Sequence, residues 1–86
     1  MRRAARVDDN QADIVAALRK IGASVYVIGL PVDLLCGYRG RSIALEVKSG
    51  KNWELTPTQK AFFRDFKGEA YIVDSVKAAL KAVRGA

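Results

Sequence analysis

Apolar residues recur along the chain at two different periods. Ile14, Val15, Leu18 and Ile21 follow helical spacing, which predicts a helix over residues 8–21. Asp8-Asp9-Asn10 would supply its capping groups and early negative charge, and Gly22 would end it. Val25-Tyr26-Val27-Ile28 is a short β-rich run that stops at Gly29. Residues 32–38 and 42–48 read as two strands around Arg39-Gly40, a hairpin turn. Thr56-Pro57-Thr58-Gln59 combines a capping box with proline at the first helical position, so a second helix opens at Thr56. Phe62, Phe63 and Phe66 form its apolar stripe, and Gly68 closes it. Tyr71-Ile72-Val73 is a last short strand. Ser75 caps a final helix through Val76, Leu80 and Val83 to Gly85. The order α-β-β-β-α-β-α predicts an α/β fold, a mixed sheet flanked by helices with one more helix at the C-terminus.

Composition narrows the function. Eighty-six residues suit one domain, residues 1–86, whose marginal core would gain from dimerisation. Half the residues are hydrophobic and 28% are charged, which excludes intrinsic disorder. No apolar stretch approaches a membrane span, and no apolar run follows Met1-Arg2-Arg3-Ala4-Ala5-Arg6 as in a signal peptide. Residues 1–7 read as a flexible basic arm. One cysteine excludes an internal disulfide framework, and the absence of histidine excludes the usual zinc sites and histidine bases. A cytoplasmic protein fits these features. Fifteen Lys and Arg against nine Asp and Glu give +6 and a pI near 9.8, pointing to an anionic partner, most simply nucleic acid.

Strand register turns this general reading into a site. If Tyr38 pairs with Arg41, opposed positions sum to 79, and Asp33 lies across from Glu46. Directly opposed residues share a face, and Lys48, two residues beyond Glu46, shares it too. Like charges so placed repel, and a divalent cation would relieve the repulsion. Mg²⁺ takes oxygen ligands from one or two carboxylates and shares its remaining positions with water and phosphate. Such an ion activates a water and polarises a phosphodiester, and Lys48 could neutralise charge growing there. The competing reading is a plain Glu46–Lys48 ion pair, with Asp33 capping a strand. The apolar surroundings, Ile43-Ala44-Leu45 and Val47, weigh against unpaired charge at this place.

Pro31-Val32-Asp33, twelve residues, then Glu46-Val47-Lys48 resembles the signature of the PD-(D/E)XK nuclease superfamily. The nearest resemblance within it is to the VRR-Nuc family of virus-type replication and repair nucleases, relatives of the Holliday-junction resolvases. It covers roughly residues 8–83 and includes the helix running into Gly22-Ala23-Ser24-Val25 and the Leu55-Thr56-Pro57-Thr58-Gln59 segment. The resemblance implies a restriction-endonuclease-like α-β-β-β-α-β core and cleavage of DNA with Mg²⁺ or Mn²⁺, with branched substrates as the narrower expectation. It makes Asp33 and Glu46 metal ligands through their side chains and Val47 a ligand through its carbonyl. Lys48 becomes the catalytic lysine, and Gln59 the helix glutamine beside the site.

One position departs from the family. Relatives often carry a glutamate about eleven residues before the glycine ending the first helix, and here that position is Gln11. Helical phase puts Gln11 on the stripe of Ile14, Val15 and Leu18. The third ligand is therefore absent, the Gln11 amide, or Asp8. Gln59 shares the phenylalanine stripe and could serve the capping box, the site, or both. For DNA contact the candidates are Arg39 and Arg41 at the hairpin tip, Lys51 and Trp53 in the loop after Lys48, and Lys60 on the second helix. Trp53 could stack on an unpaired base or pack beneath its loop. Cys36 reads as an inert core residue. Paired active sites in relatives, and apolar residues in excess of buried places, imply a homodimer. The alternative function is a non-catalytic module of the double-stranded-RNA-binding kind, which shares the order α-β-β-β-α but has no use for opposed acids.

Overall fold

A computed structural model describes residues 10–85 of the chain. It contains helices α1 (Gln11–Lys20), α2 (Pro57–Asp65) and α3 (Val76–Arg84), and strands β1 (Ser24–Val27), β2 (Leu34–Tyr38), β3 (Arg41–Val47) and β4 (Glu69–Val73). The strands form one sheet in the order β1-β2-β3-β4. β1–β2 and β2–β3 are antiparallel, and β3–β4 is parallel. This is the expected α/β architecture with a mixed sheet, helices on both sides and a C-terminal helix.

The hairpin has the register read from its turn. Tyr38 pairs with Arg41 and Leu34 with Leu45. Arg39 and Gly40 both have positive φ, 51° and 80°. A two-residue type I′ turn requires that, because its twist matches the flanking strands.

One sheet face carries the core. Val25, Leu34, Cys36, Ile43, Leu45, Val47 and Val73 meet Ile14 and Leu18 of α1 and Ala79 and Val83 of α3. β3 is buried continuously from Ile43 to Val47, as suits a central strand. Val76 and Leu80 pack partly against this core, so the apolar stripe of α3 covers the sheet. Burial raises the Cys36 thiol to about 11, consistent with an inert core residue.

Two local expectations change. The first helix begins at Gln11, and Asn10 makes no side-chain capping bond. Its Nδ2 donates instead to the carbonyls of Lys48 at 3.3 Å and Asp74 at 2.9 Å. Those bonds clasp the ends of β3 and β4, and a tertiary contact replaces a local cap worth about 1 kcal/mol. Asp8, Asp9 and the basic arm lie outside the described residues. The second change concerns α2, which buries none of its residues. Phe62 and Phe63 are half-buried and Phe66 is exposed. Phe62 meets Phe63 edge-on at 5.3 Å and stacks on Phe66 at 4.8 Å, so much of the stripe packs on itself. Among the described residues, no helix is long and apolar enough to cross a membrane.

Candidate active site at the open end of the hairpin

β3 alternates its side chains between the two sheet faces. Leu45 and Val47 enter the core, so Glu46 points to the face that carries α2. Only 3% of Glu46 is exposed. Its Oε2 accepts from Lys48 Nζ at 3.1 Å and from Gln59 Nε2 at 2.9 Å. Its Oε1 is buried with no partner among the described residues. A buried carboxylate oxygen without a protein partner costs free energy, which a donor or a cation would offset.

Asp33 sits just before β2, one position beyond the Leu34–Leu45 pair. Its Oδ2 accepts the Val47 N–H at 2.8 Å, which fixes the carboxylate beside β3. Its backbone carbonyl takes the N–H groups of Ile28 and Gly29, at 2.9 and 3.3 Å. The acid is therefore braced from both neighbouring strands. Burial is the largest influence on Glu46 and raises its carboxyl above the ordinary range. The Lys48 hydrogen bond opposes that rise, while the Asp33 charge adds to it.

Lys48 is held from both ends. Its N–H donates to the Val73 carbonyl at 2.9 Å, and its carbonyl receives the Asn10 amide. Its ammonium reaches Glu46 and, more distantly, Gln59 Oε1 at 3.5 Å. Gln59 completes the capping box and also reaches Glu46. Its Oε1 accepts the Thr56 N–H at 3.0 Å, its own N–H donates to Thr56 Oγ1 at 3.2 Å, and Nε2 remains free for Glu46. The capping box aims the amide at the carboxylate.

Other candidates divide sharply. Gln11 is buried, as its helical phase requires, but makes no side-chain hydrogen bond among the described residues. It lines a groove with Val15, Arg19 and Val27 on the α1 side of the sheet. Trp53 lies in the loop between β3 and α2 with 39% of its surface exposed, so it is not core cover. Lys51 and Lys60 are exposed. Arg39 is exposed at the hairpin tip, with its guanidinium 5.1 Å from the Tyr38 ring centre. Arg41 is committed elsewhere. It forms two bonds to Glu69, at 2.9 and 2.6 Å, and donates to the Ala82 and Val83 carbonyls at the end of α3. Strand pairing turns it inward from the tip, so it ties β3, β4 and α3 together. The Glu69 carboxylate holds the Arg41 guanidinium above its ordinary value, and Arg41 holds Glu69 below its own.

Asn10 was not among the expected residues. Its position four before Ile14 and eight before Leu18 put it on the buried stripe, a signal that the capping reading hid. No third His, Cys, Asp or Glu joins Asp33 and Glu46 among the described residues. A cation there would need other oxygens, and the Val47 carbonyl is one candidate. The orphaned Glu46 oxygen and the adjacent carboxylate fit a hard cation that keeps several waters. Comparison with protein-family models, curated proteins and solved structures finds no match to the chain.

Proposed function

We propose that the chain is a metal-dependent DNA endonuclease of the PD-(D/E)XK type, nearest in its motifs to the VRR-Nuc family. The observation that carries this reading is Glu46, buried beside Asp33, with one oxygen held by Lys48 and Gln59 and the other left without a partner. Asp33, Glu46 and the Val47 carbonyl would hold Mg²⁺ or Mn²⁺, while Gln11, which lies in the groove on the α1 side of the sheet, is not brought to them. When bound, the ion supplies an activated water and a polarised phosphodiester.

The remaining roles belong to the chain itself. Lys48 brings a positive charge to the non-bridging oxygens of the phosphate under attack, where negative charge grows. Gln59 keeps the Glu46 carboxylate turned toward the site and gives the Lys48 ammonium a second acceptor. The Val47 N–H stops Asp33 from swinging away. Lys51, Lys60 and Arg39 neutralise backbone phosphates, and Trp53 offers a ring to an unpaired base. The resemblance to junction-resolving nucleases makes branched DNA the narrower proposal, with a cytoplasmic location. The double-stranded-RNA-binding alternative has no role for the acid pair or for β4 and α3.

The test is cleavage of duplex, flap, single-stranded and four-way-junction DNA in Mg²⁺ or Mn²⁺ and in EDTA. Asp33→Ala, Glu46→Ala and Lys48→Ala should each lower cleavage by about 10²-fold or more if they act in the transition state. Robust cleavage in EDTA, or undiminished cleavage by Glu46→Ala, would refute the nuclease reading.

A further inference from the structure

Lys48 stands one residue past the last pair of the β3–β4 ladder, Val47 with Val73. The chain then leaves the sheet through Ser49 and Gly50, whose φ is 77°, into the loop before α2. A side chain at a strand end keeps its face only while the backbone keeps its phase. For Lys48 both flanking peptide planes are fixed. Its N–H donates to the Val73 carbonyl at 2.9 Å, and its carbonyl accepts from Asn10 Nδ2 at 3.3 Å. The first bond fixes the plane before Cα, and the second fixes the plane after it. Together they set the direction of the Cα–Cβ bond. They thereby set the face on which the ammonium meets Glu46, 3.1 Å away.

Asn10 is poorly explained as a stabilising residue of its own helix. It precedes α1 yet makes no side-chain cap. Its backbone, at φ −88° and ψ 0°, is not the extended conformation that capping uses. Its Oδ1 is buried with no partner among the described residues, which is unfavourable. Serine or aspartate at this position would suit a helix start at least as well. Neither would serve the two carbonyls. Serine has one proton for two acceptors, and an aspartate carboxylate only accepts. Local preferences that yield to distant contacts are expected at functional sites.

We propose that Asn10 is a positioning residue for Lys48. Its amide joins the peptide after Lys48 to the end of β4, through the Asp74 carbonyl at 2.9 Å, and so holds the ammonium on the face of the acid pair. Asn10 acts through the backbone of Lys48 and not on the phosphate. Its effect on cleavage rests on the nuclease reading, whereas its effect on the Lys48 side chain does not.

Asn10→Ser in the full chain tests this, at a temperature where circular dichroism shows the variant folded. In NMR spectra of the metal-free protein, the two ε-methylene protons of Lys48 should be resolved in the wild type, because the ammonium is held. In Asn10→Ser they should average toward one shift, as they do for a freely rotating lysine. Exposed Lys60 supplies that reference in both proteins. In cleavage, kcat should fall about tenfold, a usual loss when the support of a reacting group is removed. KM should change less than about twofold. Asn10→Ser added to Lys48→Ala should cause no further loss, since the lysine it serves is gone. A contact that merely stabilised the fold would lower kcat by the same factor in both backgrounds. Asn10→Asp keeps the shape of residue 10 and should lose as much as Asn10→Ser. Wild-type kcat in either variant would overturn the proposal, as would a full further loss in the double variant. A wild type that cuts no DNA would refute the nuclease reading, and the Lys48 resonances would then decide the positioning by themselves.

Discussion

Glu46 must carry its charge where burial resists it, and that has a consequence for stability as well as for chemistry. Its folded carboxyl is raised, so the folded chain binds more protons than the unfolded one through that window. Stability then falls as pH rises from the ordinary glutamate range, near 4.3, through the raised value. Glu46→Gln removes this titration. In metal-free buffer, the melting temperature of the wild type should fall relative to Glu46→Gln as pH rises above the ordinary glutamate range. Added Mn²⁺ should recover the wild type and leave Glu46→Gln unmoved. Parallel curves for the two proteins would show that Glu46 titrates normally. Arg39 presents a second residue-level tension. It occupies a left-handed turn position where asparagine or glycine is favoured, at a cost of roughly 1–2 kcal/mol for other residues. Arg39→Asn should raise stability by about 0.5–1 kcal/mol despite losing the Tyr38 contact, and should weaken DNA binding. Denaturant unfolding and a binding titration check the two signs separately.

At the scale of elements, α2 is a helix secured by polar bonds rather than by burial. Gln59 links its first turn to Glu46 and Lys48, while the phenylalanines stay largely on one another. Gln59→Ala should therefore loosen α2 as a unit, seen as faster amide exchange across residues 57–65, and lower cleavage as well. Thr56→Ala should cost about 1 kcal/mol of helix stability through the cap while leaving the Glu46 bond in place. Equal exchange rates in Gln59→Ala and wild type would mean the aromatic contacts hold the helix instead. The hairpin register, the capping box and the Asp33–Glu46–Lys48 grouping were all legible in the sequence, because each depends on spacing within a few residues or across one tight turn. The Asn10 clasp and the Arg41–Glu69 tie were not. They join residues 38, 64 and 28 positions apart, and no local rule says that a capping residue or a tip arginine will be taken by a distant carbonyl or carboxylate. The phenylalanine stripe was legible as a stripe, but how deeply it sinks depends on how much sheet remains to cover.

Across the whole molecule, the two faces of the sheet differ in what covers them. α1 and α3 close one face over the core, while α2 meets the other through polar bonds at its first turn and holds the acid pair there. Attraction of DNA to the molecule rests on the net charge of +6 and on Lys51, Lys60 and Arg39, all exposed. Binding driven by released counterions weakens with salt, by about 0.9 in the log–log slope for each phosphate neutralised. Lys51→Ala and Lys60→Ala should each lower that slope by about 1 and leave the metal requirement of cleavage unchanged. Titration of a DNA duplex at several salt concentrations is the measurement, and a slope unchanged in both variants would mean that DNA is held elsewhere on the surface.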